Sequence, residues 1–318
     1  MNRLSLQAYR RDRKRAGLRW LLALALAAGT AGAVLGAGAT PVAGPAGPAG
    51  PASPSDPRAL ALVKAYNARN FGNPGWRRVH LELKSGSTVT RSFDIVNLWL
   101  KTGDAVRTLF VLERPATLQG TDYLLLEDPV DPAEMQVFLH LPAGQRRVLS
   151  IQPSGFGEGL LGSDFGYRDL RLLLPVHGYD FRLVGRQTLQ GESVWAVDAR
   201  PATSAVAQVA TWARARLYFL DRAPLLLGTD FFAKASDRQP VKRMRVLGVK
   251  QVDGAWTETQ IAMTATDGHS SVLTLSNFRS AVPAVERALF EPQALPTAAE
   301  RLGGVGLFGG PREERGGR

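Results

Sequence analysis

The stretch Trp76-Arg-Arg-Val-His-Leu-Glu-Leu-Lys84-Ser-Gly-Ser-Thr88 decides the fold class. Val79, Leu81 and Leu83 alternate with His80, Glu82 and Lys84. A period of two belongs to a half-buried strand, and Lys84-Ser-Gly-Ser87 supplies the turn after it. A hairpin begins here. In the next run, Thr88–Leu100, Val89, Arg91, Phe93 and Ile95 share one parity while Val96, Leu98 and Leu100 share the other. That switch predicts a bulge near Ile95-Val96 in one long strand.

Working outward, similar runs recur at Ala105–Leu112, Thr121–Glu127, Met135–His140, Arg146–Ile151, Asp180–Thr188, Ser193–Ala199, Ala213–Leu220, Leu225–Ala233, Val241–Val249, Trp256–Ala265 and Ser271–Arg279. The separators are short turn sequences such as Pro142-Ala-Gly144, Gln190-Gly191, Asp253-Gly254 and Asp267-Gly268. No helical stretch of crossover length alternates with the strands, so the reading is a mainly β, antiparallel meander of about a dozen strands. Upstream, Asp56-Pro57 reads as an N-cap and first-turn proline, followed by Ala59, Leu62, Val63 and Tyr66 at helical spacing. This predicts an amphipathic helix to about Arg69. Pro153–Leu174 and Pro201–Thr211 interrupt the meander as loops or short helices.

The formal charge of +11 suggests a nucleic-acid partner until it is placed along the chain. Residues 1–19 alone carry +6 and residues 301–318 carry +2, which leaves only about +3 for the body. A mixed surface of that kind excludes a phosphate-binding footprint, and no nucleic acid is expected. After the basic leader, Trp20-Leu-Leu-Ala-Leu-Ala-Leu-Ala-Ala leads to small-residue sites at Ala31-Gly-Ala33 and Ala37-Gly-Ala39. This is the pattern of a secretory signal over residues 1–39, with an uncleaved membrane anchor as the alternative. Arg10-Arg11 raises the twin-arginine route, but Asp12-Arg13-Lys14 follows where an apolar position is expected, which favours general secretion. Residues 40–57, rich in Pro, Ala and Gly, read as an extended linker. Residues 299–318, rich in Gly and charge, read as a disordered tail. With no Cys in the chain, there is no acyl-anchoring cysteine, no disulfide and no thiolate chemistry.

Catalytic patterns are absent. The sequence has no G-x-S-x-G, no H-E-x-x-H, no Walker loop and no G-x-G-x-x-G after a strand. His80, His140, His177 and His269 stand singly, without metal-ligand spacing, and no metal or cofactor is expected. The glycines of Phe156–Gly162 lack a strand-turn-helix frame for a phosphate. Ser163, Asp164 and His177 are the one set from which a hydrolytic centre is conceivable, and Ser-Asp beside Gly is ordinary turn chemistry.

One string stands out: Gly162-Ser163-Asp164-Phe165-Gly166-Tyr167-Arg168-Asp169-Leu170. It resembles the G-S-D-F-x-Y-x-D-L signature of LolA-like outer membrane lipoprotein-sorting proteins of Gram-negative bacteria. Further blocks agree in order: Phe110 to Arg114-Pro115, Gly120-Thr121 before an apolar strand, Phe138-Leu-His-Leu-Pro142 with Arg146-Arg-Val148, and Phe290 with Leu295. The likeness covers residues 58–298.

The resemblance implies a strongly curved antiparallel sheet, an incomplete β-barrel whose concave face is covered by helices and holds acyl chains. It also implies a non-enzymatic periplasmic carrier whose partners are lipid or lipoprotein acyl chains and an inner-membrane exporter. Candidates for the concave face are Phe93, Ile95, Leu109, Val111, Leu124, Leu126, Phe138, Leu217, Phe219, Leu225, Leu227, Ile261 and Met263, each of which, taken alone, core packing explains more simply than ligand contact. In the motif, Asp164 and Asp169 are expected to cap a turn or pair with Arg168 or Arg171, while Phe165, Tyr167 and Leu170 pack; a partner-docking surface is the alternative. A carrier makes physical sense, because exposing a chain of about 16 carbons at ~0.8 kcal/mol per methylene costs on the order of 12 kcal/mol. A scaffold module of the same fold with a filled core, and an envelope hydrolase, are the rival readings.

Overall fold

The structure, a computed structural model, describes residues 55–308 except 70–71, 104, 129, 143–146, 157, 281 and 283–284. The signal, most of the linker and the end of the tail lie outside the described residues.

Thirteen strands form one antiparallel sheet: β1 (Gly75–Ser85), β2 (Thr88–Thr102), β3 (Ala105–Arg114), β4 (Asp122–Glu127), β5 (Gln136–His140), β6 (Val148–Ile151), β7 (Tyr179–Leu189), β8 (Glu192–Pro201), β9 (Arg214–Leu220), β10 (Leu226–Phe232), β11 (Lys242–Val252), β12 (Ala255–Ala265) and β13 (His269–Arg279). Their spatial order is β6-β5-β4-β3-β2-β1-β13-β12-β11-β10-β9-β8-β7. The sheet therefore stays open, a curved incomplete barrel with β6 and β7 at its two edges. Register shifts along several pairs, including β1–β2, β2–β3, β7–β8 and β10–β9, add the local twist that bends such a sheet.

This order has a consequence for the chain between β6 and β7. The two strands are consecutive in sequence but lie at opposite edges, so residues 152–178 must cross one face of the sheet. We call that the inner face. The crossing segment presents Phe156, Leu160, Phe165 and Tyr167 to Val79, Leu81, Phe93, Ile95, Phe110, Leu112, Tyr123, Leu125, Val137 and Leu139, and all are buried. Helix α1 (Pro57–Asn67) covers the inner face at the other end. Asp56 caps it by accepting from the backbone N–H groups of Arg58 at 2.8 Å and Ala59 at 3.2 Å. Ala59 and Val63 are fully buried against Tyr179, Phe181, Val197, Leu217 and Phe219. Helix α2 (Ser204–Val209) adds Val206 to the same cluster.

The outer face is covered as well. Helix α3 (Leu295–Gly304) packs Leu295, Ala298 and Leu302 with Val282, Val285, Leu289, Phe290 and Leu307 over Val96, Leu98, Leu100, Leu109, Val111 and Leu124. This changes two expectations. The shift between β2 and β3 does fall at Asp94/Ile95, but Asp94 pairs with Arg114 and Ile95 with Leu112, so the inserted residue is Glu113 on β3. The change of parity in β2 instead reflects burial on both faces from Ile95 to Leu100. The ordered domain also runs past residue 298 to Phe308. Gly306, at φ +71°, closes α3: its N–H bonds Gly303 O at 3.0 Å, and Leu307 N–H reaches back to Leu302 O at 2.9 Å. That pair of bonds, with Leu302 and Leu307 both buried, is a Schellman cap. Glycines that look like tail in the sequence are a helix terminus.

Beneath this outer cover, Asp122 on β4 and His140 on β5 are register partners, with His140 Nδ1 3.1 Å from Asp122 Oδ2. Asp122 Oδ1 and His140 Nε2 are both buried without a partner. Burial pushes the Asp122 carboxyl up to about 6, against the pull of His140. A carboxyl raised in the folded state contributes stability below its unfolded value, near 4, that is lost as pH rises through its folded value. A shift of about two units corresponds to roughly 3 kcal/mol. Asp122→Asn is therefore expected to remove this dependence. In denaturant unfolding, the wild type should gain about 2–3 kcal/mol relative to the variant between about pH 7.5 and pH 4. Parallel stability profiles would show that Asp122 is not the titrating group.

Candidate functional site

The two inner-face clusters do not meet completely. Between them lies a cavity of about 190 Å³. Its floor is Leu217 of β9, Leu226 and Phe231 of β10, Met244 and Val246 of β11, Ile261 of β12 and Phe278 of β13. Its cover is Tyr66 of α1 and the run Leu172-Leu173-Leu174-Pro175, whose side chains are half-buried between sheet and solvent. Asn67 anchors this run to α1: its Nδ2 donates to Leu174 O at 2.7 Å, and its Oδ1 accepts from Leu174 N at 2.9 Å. Arg69, Arg77, Arg168, Arg171 and Glu258 add polar groups to a wall that is otherwise largely apolar.

The candidates for the concave face divide three ways. Leu217 and Ile261 line the cavity. Phe93, Ile95, Phe219 and Met263 also lie on the inner face, but inside its packed clusters. Leu109, Val111, Leu124, Leu126 and Phe138 lie on the outer face under the C-terminal segment, and Leu225 and Leu227 pack outside with Val194, Ala196, Tyr218 and Leu220. In β3 to β5 both parities are apolar because both faces are covered, so alternation names two faces without ranking them. In β10 the shift between Leu226 and Gly228 reverses parity, which puts Leu226, and not Leu227, on the same face as Phe231.

The motif string forms the turn that holds the crossing segment on the sheet. Gly159 bridges Gly166, and a Cβ on Gly159 would stand 1.6 Å from Ser163 O, so the loop closes only around glycine. Gly162 takes φ +78° in the same turn. Asp169 accepts from Gly166 N–H at 2.8 Å, the expected cap, and its ion-pair partner is Lys242 of β11. Asp164 binds Ser271 of β13 twice: its N–H donates to Oγ at 2.9 Å, and its carboxylate accepts from Oγ at 2.8 Å. Arg168 and Arg171 turn elsewhere, both donating to Pro132 O, with Arg171 Nε 3.4 Å from Glu127. Phe165 and Tyr167 are buried, and Leu170 is partly buried against the same cluster.

No catalytic arrangement emerges from these residues. Ser163 is 2% exposed, and its hydroxyl is occupied by Phe165, whose N–H donates to it at 3.3 Å. His177 is exposed. Among the described residues, no group of three or more His, Asp or Glu is placed to hold a metal ion. Among them, too, no helix is long and apolar enough to cross a membrane.

The polar wall has no counterpart among the sequence expectations. Arg69 Nη1 donates to Glu258 Oε1 at 2.9 Å, and its guanidinium lies 3.8 Å from the Tyr66 ring centroid. Burial pushes the Tyr66 hydroxyl up to about 12, so it stays protonated. Burial likewise raises Glu127, behind the crossing segment, to about 7, while Arg171 and Arg168 pull it down.

A family model described only as an uncharacterized "-like" protein matches residues 104–297. No curated protein matches the sequence. Among solved structures, a domain named for outer membrane lipoprotein sorting from Vibrio parahaemolyticus aligns with TM-score 0.66 at 20% identity, over 75% of this chain and 98% of that one. A DUF1329 family protein from Desulfovibrio piger aligns with TM-score 0.67 at 24% identity, over 76% and 100%. A LolA superfamily protein from Nitrosomonas europaea aligns with TM-score 0.56 at 14% identity, over 73% and 97%. The family model covers more than half of the chain, and the open thirteen-stranded sheet agrees with these alignments: the chain belongs to this family of uncharacterized proteins, and it shares the fold of the lipoprotein-sorting and LolA superfamily structures.

Proposed function

We propose that this chain is a periplasmic carrier that takes an acyl chain of a lipoprotein or lipid into its inner-face cavity, without catalysing a reaction on it. The observation that carries this reading is the apolar cavity between the sheet and a cover of α1 and Leu172–Pro175. The basic, apolar leader of residues 1–39 supports export, and the lipoprotein-sorting name of a structural neighbour supports the cargo class. An inner-membrane exporter as the source of cargo belongs to the same proposal.

The volume sets a condition. Pockets for small ligands usually hold ~300–1,000 Å³, and this one holds about 190 Å³. An acyl chain therefore enters only if the cover moves. The cover is suited to that, since Leu172 to Leu174 lie outside regular structure and are half-buried. The same small volume, together with the filled half of the inner face, favours one rival: an envelope interaction module with a packed core.

Native mass spectrometry and organic extraction of the full chain, purified from a Gram-negative periplasm, separate the two. A stoichiometric acyl lipid is expected. A clean protein that also ignores added lipid and lipopeptide would leave the interaction module.

A further inference from the structure

The cavity wall carries more positive charge than it neutralises. Of its cations, Arg69 is paired with Glu258 and Arg171 with Glu127, and Arg279 is exposed beside the Trp76 ring; of its other carboxylates, Asp169 is held by Lys242 and Asp253 accepts from Ser280. Arg77 is different. No carboxylate lies within ion-pair distance of it among the described residues; Glu258, already paired with Arg69, is near enough only to favour its charge from a distance, and the one hydrogen bond of Arg77 runs from Nε to Asn97 Oδ1 at 2.8 Å.

That bond is built. Asn97 is fully buried, and its Nδ2 donates to Leu109 O at 3.2 Å and Leu98 O at 3.4 Å, which leaves Oδ1 to face Arg77. Trp99 flanks the guanidinium, with its ring centroid 5.2 Å away. Both Nη groups of Arg77 make no hydrogen bond among the described residues. Across the wall, Arg168 donates Nη1 to Pro132 O and keeps Nε and Nη2 buried without a partner. Burial lowers both arginines to about 10, so each remains charged at neutral pH at a cost in solvation. A desolvated cation without a paired counter-charge is expensive, and a guanidinium with free Nη donors matches a carboxylate or phosphate in a two-point contact.

We propose that the cavity takes an amphiphile with an anionic head, a carboxylate or a phosphate, whose charge is held by Arg77 while its tail lies along Leu217, Phe231 and Ile261. The proposal rests on the carrier reading and narrows its cargo to acidic lipids.

The test is calorimetric titration of the full chain at about pH 7.5 with palmitate, hexadecyl phosphate, hexadecanol and inorganic phosphate. Wild type, Arg77→Gln and Arg77→Lys are compared. The two charged amphiphiles are expected to bind about 10-fold or more tighter than hexadecanol, a difference of ~1.4 kcal/mol or more. Arg77→Gln should abolish that preference while keeping hexadecanol affinity, which also shows that the variant is folded; Arg77→Lys should retain part of it. Equal binding of palmitate and hexadecanol to the wild type overturns the anionic head and leaves the carrier intact. Binding of none of the three amphiphiles overturns the carrier itself. Inorganic phosphate bound as tightly as hexadecyl phosphate would mean a free-anion site, and the amphiphile would fall.

Discussion

Phe165→Ala is expected to destabilise the fold by about 3–5 kcal/mol, the usual cost of removing a buried phenyl ring. For a domain of this size that is a fall in Tm of roughly 6–20 °C. Phe165 is 1% exposed and sits at the centre of the motif turn, where its carbonyl accepts from Leu160 N–H at 2.8 Å. Its ring belongs to the cluster in which Tyr167 meets Tyr123 at 6.0 Å and Phe156 at 6.5 Å between centroids. The chain from β6 to β7 has to cross the sheet, and Phe165 helps fix the crossing in place, so the loss is spread over the segment and the strands beneath it. Leu170→Ala, at a half-buried position on the same segment, is the internal comparison and should cost less. An unchanged Tm for Phe165→Ala would mean that the segment is a loosely held cover, and the motif would then need a different explanation.

Much of this architecture is legible in the amino-acid sequence itself. Strand periodicity places the thirteen strands to within a few residues, and Asp56-Pro57 starts α1 where it is found. The limits of periodicity are physical. Alternation reports that two sets of side chains are distinct, and in β3 to β5 both sets are apolar because a helix-bearing segment from the far end of the chain covers the second face. That segment is hidden by its glycines, which suit a Schellman cap and a disordered tail alike. Nothing local to Leu109 or Leu124 says which way it points.

The cavity is hidden for a related reason. Its wall draws on α1, the crossing segment, β1, β2 and β7 to β13, so no window of sequence contains it. The one local signal is the run Leu172-Leu-Leu-Pro175, apolar without alternation and outside any strand, which fits a cover better than a core. Arg77 is masked by charge counting. A body charge of about +3 removes the reason to expect nucleic acid, but it averages one desolvated, unpaired guanidinium into an ordinary surface. Burial of a single charge is a tertiary fact.

Ile261→Trp is expected to weaken acyl binding by about 100-fold, ~2.7 kcal/mol, while leaving Tm nearly unchanged. Ile261 stands on β12 between Val246 and Leu273, faces the cavity and is only half-buried, so an indole has empty space to enter. Overpacking a filled core typically costs ~1–3 kcal/mol. Space of about 190 Å³ at this position removes most of that penalty and converts the added ring into a plug. Leu124→Ala supplies the opposite result. Leu124 is fully buried under α3 on the outer face, so its truncation should cost about 2–5 kcal/mol of stability and spare ligand affinity. The pair separates site from scaffold, because one change removes binding without destabilising and the other destabilises without removing binding. If Ile261→Trp takes up palmitate and hexadecanol as the wild type does, the cavity is not where the tail goes. The inner face would then be a core that happens to be incompletely filled, and the acyl chain would be held elsewhere on the domain.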